Sequence, residues 1–345
     1  MTIARLSWDE ARAANRQNRF KSWPHRTDGA SGESEQACDR IHQDFAKVSA
    51  SPLKPIEHRR YFAIGSCFAR VIENGLRQSG QRLAYDLRKL LPSEHLFERV
   101  APGIPSRDPT SDISGIFNRY NVPSMLQEVE IYAHGYPEPS EWLLYQTGDK
   151  WADLNYHLAL ADSSFDVALA RRALIFDHFS RALREANTFI LTLGLCEAWY
   201  DLEAAAYLNT TPSPRLPAAY PNRFQVRMVD YDTNLSALLS VVEMLEEIKQ
   251  SGPFEIILTV SPVPLNQTFF DQDIVVANSE AKAILRAAAS EARRRSERVS
   301  YFPSFEIVMN SDPALAWHTD GMHVTPAMAR HVVDCFLLLT QPAPD

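Results

Sequence analysis

Tyr61-Phe62-Ala63-Ile64-Gly65-Ser66-Cys67-Phe68-Ala69-Arg70 is the stretch on which the reading of the fold turns. Its first four residues are apolar and β-prone, and Gly65-Ser66 ends the run. The residues that follow change period: Phe68, Val71, Ile72 and Leu76 share one helical face, and Gly80 stands just past its end. The pattern is strand, tight turn, helix. A serine at such a turn lies at the carboxyl edge of a sheet, where α/β folds bind their ligands. It also caps a helix N-terminus, whose free N–H groups favour negative charge. Ser66 is therefore placed as a nucleophile would be, although an N-cap alone accounts for the same residue.

Outward from this turn, strand and helix patterns alternate, which implies a parallel sheet covered on both faces. Strands are expected at 61–64, 82–86, 188–193, 255–260 and 299–302. Helices are expected at 67–79, 123–131, 164–186, 233–250, 278–296 and 326–340. The runs Thr188 to Leu193 and Glu255 to Val260 are almost continuously apolar, as buried parallel strands are.

Near the other end the chain reads His318-Thr319-Asp320-Gly321-Met322-His323-Val324-Thr325-Pro326. Thr325 and Pro326 mark a helix start. In the loop before it, the Asp320 carboxylate can fold back on one ring nitrogen of His323, leaving the other to take a proton from a serine. Nucleophile, base and a carboxylate that fixes the tautomer make up an acyl-transfer triad. Asp-Gly followed by His is also a common turn. The pairing with Ser66 across one α/β domain gives the motif its weight. His318 is the rival base, in a more peripheral position.

Gly65-Ser66-Cys67-Phe68-Ala69 together with Asp320-x-x-His323 resembles the signature of the GSCFA domain, a branch of the SGNH/GDSL hydrolase superfamily. The resemblance spans roughly residues 58 to 340. It implies a three-layer α/β/α, flavodoxin-like fold with a parallel central sheet, and Ser66, Asp320 and His323 as the triad. It also implies oxyanion donors from the serine N–H, a glycine N–H in a second block and an asparagine amide in a third. Gly115-Ile116-Phe117-Asn118-Arg119-Tyr120-Asn121 best matches the second block, offering Gly115 and the amides of Asn118 and Asn121. The third block should read Gly-x-Asn-Asp; here it is Gly194-Leu195-Cys196-Glu197. With that asparagine missing, Asn121 is expected to take its role, Gly194 keeping only the tight turn. Asn278, Lys282 and Arg286 are implied as pocket neighbours.

The chain has 345 residues, of which 45% are hydrophobic, enough for one large core. A net charge of −8 without a basic stripe argues against nucleic acid as partner. No apolar run is long enough to span a membrane, and the N-terminus lacks the apolar core of a secretory signal. Cysteines 38, 67, 196 and 335 show neither disulfide nor metal spacing, so a cytoplasmic location is expected. No cofactor or metal is called for. Residues 1–57 read as a polar arm bearing Trp8, Phe20 and Trp23, and residues 58–340 as the hydrolase-like domain.

Two long connections near 133–160 and 199–232 interrupt the alternation. They carry Tyr136, Trp142, Tyr145, Trp151, Tyr156, Trp199, Tyr200 and Tyr207. Both are expected to begin near the carboxyl edge, as lids or binding surfaces; their aromatics either stack on substrate or pack locally. Ser279-x-x-Lys282 has the spacing of penicillin-recognising enzymes, but Asn278 as a cap and Lys282 as an exposed lysine explain it without catalysis. Cys67 reads as buried packing. The expected chemistry is a serine ester hydrolase, an acyl or acetyl esterase acting on a glycan or other carbohydrate ester. A carbohydrate O-acyltransferase using the same triad and a non-catalytic, hydrolase-like binding protein are the alternatives.

Overall fold

The computed structural model of the chain describes residues 6–23, 36–42, 44–98, 114–157, 160–250 and 252–340. Its centre is a parallel four-stranded sheet of β1 (Tyr61–Gly65), β4 (Thr188–Leu193), β8 (Glu255–Val260) and β9 (Val299–Tyr301), in the spatial order β1-β4-β8-β9. Leu83 forms a single parallel bridge to Tyr61 on the outer side of β1. The strand expected over 82–86 is thus reduced to one bridge. Asp86 accepts the Arg88 N–H and opens a 3₁₀ segment over Leu87–Phe97, which ends the extended run. With Leu83 in the fifth place, the order around β1 is that of a flavodoxin-like sheet, whose switch point lies between β1 and β4.

Every residue of β1, β4 and β8 is buried, and alternate side chains enter different cores. Phe62, Ile64, Phe189, Leu191, Ile256 and Leu258 face one layer. That layer holds α3 (Val122–His134), α4 (Phe165–Glu185), α6 (Tyr231–Lys249) and α7 (Ile274–Arg295). Tyr61, Ala63, Ile190 and Ile257 face the other layer, with α2 (Cys67–Gln78), α8 (Ser304–Met309), α9 (Pro313–Ala316) and α10 (Pro326–Leu339). This is a three-layer α/β/α architecture. The short helices α8 and α9 were not legible in the sequence.

Of the arm, α1 (Trp8–Gln17) buries no residue, while Ala46 is buried and Leu53 joins the core that holds α10. The Leu53 N–H donates to the Leu339 carbonyl at 3.2 Å, so the last part of the arm packs on the domain.

The two long connections are folded rather than open loops. The first carries the antiparallel hairpin of β2 (Leu144–Thr147) and β3 (Lys150–Asp153). The second forms a three-stranded sheet of β5 (Glu197–Asp201), β6 (Ala206–Tyr207) and β7 (Phe224–Met228), with α5 (Arg215–Ala219) between β6 and β7. Leu143, Tyr145, Ala152, Leu154, Ala206, Leu208 and Leu216 make their shared small core. Tyr145 Oη donates to Asp201 Oδ2 at 2.6 Å, and Arg223 pairs with the same carboxylate at 2.8 Å. Tyr145 is therefore spent on local packing. The second connection leaves β4 at the carboxyl edge, as expected. The first does not: Arg184, at the end of α4, reaches the Ala133 carbonyl at 3.4 Å, so it leaves α3 at the amino edge and returns along α4.

That return is held by Arg172, whose buried guanidinium binds Asp153 at 2.8 and 3.0 Å and the carbonyls of Ser140 and Trp142 at 3.1 and 2.9 Å. Removing one partner of a buried ion pair strands the other charge. Arg172→Met is expected to cost about 3–5 kcal/mol of folding stability, read as a lowered midpoint in urea.

Candidate active site

Ser66 is the N-cap of α2, with extended backbone (φ −64°, ψ −178°), and its hydroxyl makes no cap bond. Its Oγ is buried and has no hydrogen-bond partner among the described residues. For a hydroxyl out of contact with water this is costly unless the group serves a purpose. The turn around it tolerates no larger residues. Gly65 has φ +147°, a conformation that side chains rarely adopt, and a Cβ there would lie 2.5 Å from the Thr192 carbonyl oxygen. A Cβ on Gly194 would lie 2.8 Å from the Tyr120 carbonyl oxygen, 3.2 Å from Ser66 Cβ and 3.7 Å from Ser66 Oγ. The end of β4 thus lies directly against the serine, at the switch point between β1 and β4.

Gly194→Ala is expected to slow any reaction of Ser66 by about 10²-fold, the scale of losing one oxyanion donor. Overpacking of this kind also costs about 1–3 kcal/mol of stability. Comparing reaction rate and denaturation midpoint in one variant checks both.

Asp320 and His323 are in contact. Asp320 Oδ2 lies 2.7 Å from His323 Nδ1, and Oδ1 accepts the N–H groups of His323 at 3.0 Å and Met322 at 2.9 Å. The His323 backbone N–H, then its ring, then the Met322 N–H hold the Asp320 carboxyl well below the usual carboxylate range. Gly321 at φ +66° lets the loop close, and the His318 N–H holds the His323 carbonyl at 2.9 Å. Thr325 caps α10 through the Met328 N–H, as the sequence implies. The His323 side chain is 58% exposed, and no hydrogen bond joins it to Ser66. Phe336, late in α10, packs on Tyr61 at the start of β1, with ring centroids 6.1 Å apart. α10 therefore runs opposite to β1, and its N-terminal loop with His323 lies toward the same sheet edge as Ser66.

The second-block segment meets the serine turn through Arg119 and Tyr120. The Arg119 N–H donates to the Gly65 carbonyl at 2.7 Å, and the Leu195 N–H to the Tyr120 carbonyl at 2.8 Å. Gly115 opens a 3₁₀ turn, and a Cβ there would meet nothing within 4 Å, so its position does not require glycine. Asn121 is the N-cap of α3: its Oδ1 accepts the N–H and hydroxyl of Ser124 at 2.9 and 2.8 Å, and its Nδ2 donates to the Leu208 carbonyl at 3.0 Å. Its oxygen and one of its two amide hydrogens are thus committed to structure. Asn118 donates to Tyr120 Oη at 3.3 Å, while its own Oδ1 is buried without a partner. The Gly194 N–H has no acceptor among the described residues, whereas the Ser66 N–H makes a long 3.4 Å contact to Thr192.

Lys282 is 3% exposed, not the solvent-facing lysine expected. α7 starts at Ile274, capped by Asp273, so Asn278 lies inside it and accepts the Leu265 N–H at 3.2 Å. Arg286 pairs with Glu306 at 2.8 Å. Burial raises the Cys67 thiol, consistent with a packed rather than reactive cysteine.

Sequence reasoning missed two buried ion pairs behind the turn. Arg70 pairs with Glu73 at 2.5 Å and donates to the Ala63 carbonyl at 2.8 Å. Arg119 lies 3.3 Å from Glu128, which also accepts from Tyr132 Oη at 2.7 Å. The i,i+3 spacing of Arg70 and Glu73 was the available signal, but it reads equally as a solvated pair.

Beside the turn lies a cavity of about 260 Å³, lined among others by Tyr120, Asn121, Leu195, Trp199, Asn209 and Phe269. Trp199 and Phe269, both in its lining, meet edge to face with ring centroids 5.3 Å apart. A second cavity of about 780 Å³ shares His157, Thr210 and Thr211 with the first. No three His, Cys, Asp or Glu side chains cluster as metal ligands among the described residues.

A three-layer α/β/α sheet with a serine at its first switch-point turn and an Asp–His pair before its last helix defines the class. The chain belongs to the GSCFA family, whose model matches residues 60–336. No curated protein matches the chain. No helix among the described residues is long and apolar enough to cross a membrane.

Proposed function

We propose that this protein is a serine-dependent ester hydrolase with an SGNH-type site, acting on an acyl or acetyl ester of a carbohydrate. The observation that carries the reading is the 2.7 Å Asp320–His323 bond at the edge where Ser66 keeps a buried, unpartnered hydroxyl. With Nδ1 bound to Asp320, His323 has Nε2 free to accept the Ser66 proton as Oγ bonds to the ester carbonyl carbon. The carbonyl π electrons move to oxygen, and the Gly194 N–H is the candidate donor to that oxyanion. On collapse the C–O bond to the alcohol breaks, and the alkoxide takes the proton from His323. Water then attacks the acyl-enzyme by the same path in reverse, and the acid leaves.

Closing the loop that bears His323 onto Ser66 is part of this reading, since the two are not hydrogen-bonded here. The aromatic and polar lining of the adjoining cavities supports a ring-shaped, hydroxyl-rich alcohol. The four unpaired cysteines support a reducing, cytoplasmic setting. Transfer to a sugar hydroxyl needs the same atoms and differs only in which nucleophile discharges the acyl-enzyme.

Short-chain p-nitrophenyl esters, supplied with and without a carbohydrate acceptor, test the proposal. Ser66-dependent p-nitrophenol release with free acid as product supports hydrolysis, and acylated acceptor supports transfer. No release above that of Ser66→Ala across acyl lengths would leave the binding-protein alternative.

A further inference from the structure

Lys282 presents an ammonium where burial is hard to justify by packing alone. Its Nζ donates to the Gly194 carbonyl at 2.9 Å and the Val263 carbonyl at 2.8 Å. It thereby ties α7 to the turns that follow β4 and β8. No carboxylate pairs with it among the described residues; the titratable groups that face it are the thiols of Cys196 and Cys67. The charges of Glu280 and Glu197 act on Cys196, and Glu197 is occupied by Thr268 Oγ1 at 2.7 Å and the Phe269 N–H at 2.8 Å. Both thiols stay neutral, since burial lifts Cys67 and pushes Cys196 up to about 12. A buried cation without a counter-charge costs folding stability, and its uncompensated positive potential is available to a negative charge that forms nearby during a reaction.

Gly194 lies against Ser66, so an oxyanion formed on an ester attacked by Ser66 would form beside it. The peptide between Gly194 and Leu195 is gripped at both ends, its oxygen by Lys282 and its N–H by the Tyr120 carbonyl. We propose that Lys282 is a positioning residue for the acyl-transfer site: its ammonium fixes the Gly194 turn against Ser66 and lends positive potential to the oxyanion. The inference rests on Ser66 being the nucleophile. Its signature is in the pH profile. Burial lowers Lys282 to about 8, so its charge, and with it the reactivity of Ser66, is present below that pH and fades above it.

The test is the rate of fluorophosphonate labelling of Ser66 from pH 6 to 10, in which the Oγ–P bond forms, fluoride leaves and His323 takes the proton. Wild type, Lys282→Met and Lys249→Met are compared, each with its circular dichroism recorded. Lys249 is also lowered to about 8 by burial, but it binds the Arg184 carbonyl at the amino edge of the sheet and serves as control. The expected result is a wild-type rate that falls above pH about 8, unchanged in Lys249→Met. Lys282→Met should label about 10²-fold more slowly near pH 7, the scale of one oxyanion donor, with no alkaline fall. Should Lys282→Met not fold, the wild-type and Lys249→Met profiles decide. A wild type with no alkaline fall, or a folded Lys282→Met that keeps the wild-type rate and profile, overturns the role of Lys282 while leaving Ser66 as nucleophile. A wild type that does not label at all overturns both.

Discussion

Ser66→Ala and His323→Ala are each expected to abolish ester turnover, lowering kcat on the order of 10⁶-fold, the scale at which a triad fails when either of its reacting members is lost. The double variant should be no worse than either single one, because the proposed nucleophile and base would act as one unit. Such non-additivity is a stronger statement than the loss itself, since two independently damaged sites would multiply. Neither change should cost much stability. The Ser66 hydroxyl has no hydrogen bond to lose, and the His323 side chain is 58% exposed. The measurement is kcat on a p-nitrophenyl ester for the three variants, with denaturation midpoints alongside. A double variant slower than both singles by the product of their effects would contradict the triad.

Asp320→Asn is expected to cost about 10⁴-fold in kcat, because an amide that donates to Nδ1 forces the wrong imidazole tautomer. Oδ1 of the amide would still accept the His323 and Met322 N–H groups, so the loop geometry should persist. The pH dependence follows from the direction of the Asp320 shift. A carboxyl depressed in the folded state contributes stability that is present above its unfolded pKa and lost only as pH falls through the folded value. Asp320 is held well below the usual range, so it stays charged throughout an assay above pH 5 and adds no acid limb of its own there. Asp320→Asn should accordingly lower the whole profile. A variant that regains wild-type kcat at any pH in that range would show that the carboxylate does not fix the base.

The sequence was most legible where the chain is fully buried on both sides. Strands β4 and β8 lie where the apolar runs Thr188–Leu193 and Glu255–Val260 put them, because a parallel strand between two helix layers has no polar face to blur its bounds. The edges were harder. Of residues 82–86 only Leu83 bridges, and the Asp86 cap opens a 3₁₀ segment where the strand was expected to continue. The aromatic connections read as loops because strands as short as Ala206–Tyr207 carry no period, and their cohesion comes from tertiary contacts such as Tyr145 to Asp201.

At the candidate site, the turn position of Ser66 and the contact of Asp320 with His323 were legible because each lies at a turn or cap with a local signature. Asn121 was read as an oxyanion donor, yet its cap bonds to Ser124 engage the side chain. It stands directly before Val122-Pro123, where the helix it caps begins. The helical pattern alone made Lys282 a solvated lysine, although the family resemblance implied a pocket neighbour; its burial follows from the helix packing against the turns after β4 and β8. Gly194 was given the tight turn alone. Its contact with Ser66 joins two residues far apart in the chain, which no local pattern encodes.

The central claim is that Ser66 is an activated nucleophile. Intact-protein mass after exposure to a fluorophosphonate tests it most directly, with the adduct mapped by peptide fragmentation. One adduct is expected on the wild type, on the peptide holding Ser66, absent from Ser66→Ala and strongly slowed in His323→Ala. A well-folded wild type that gains no adduct, or gains one on another residue, would contradict it.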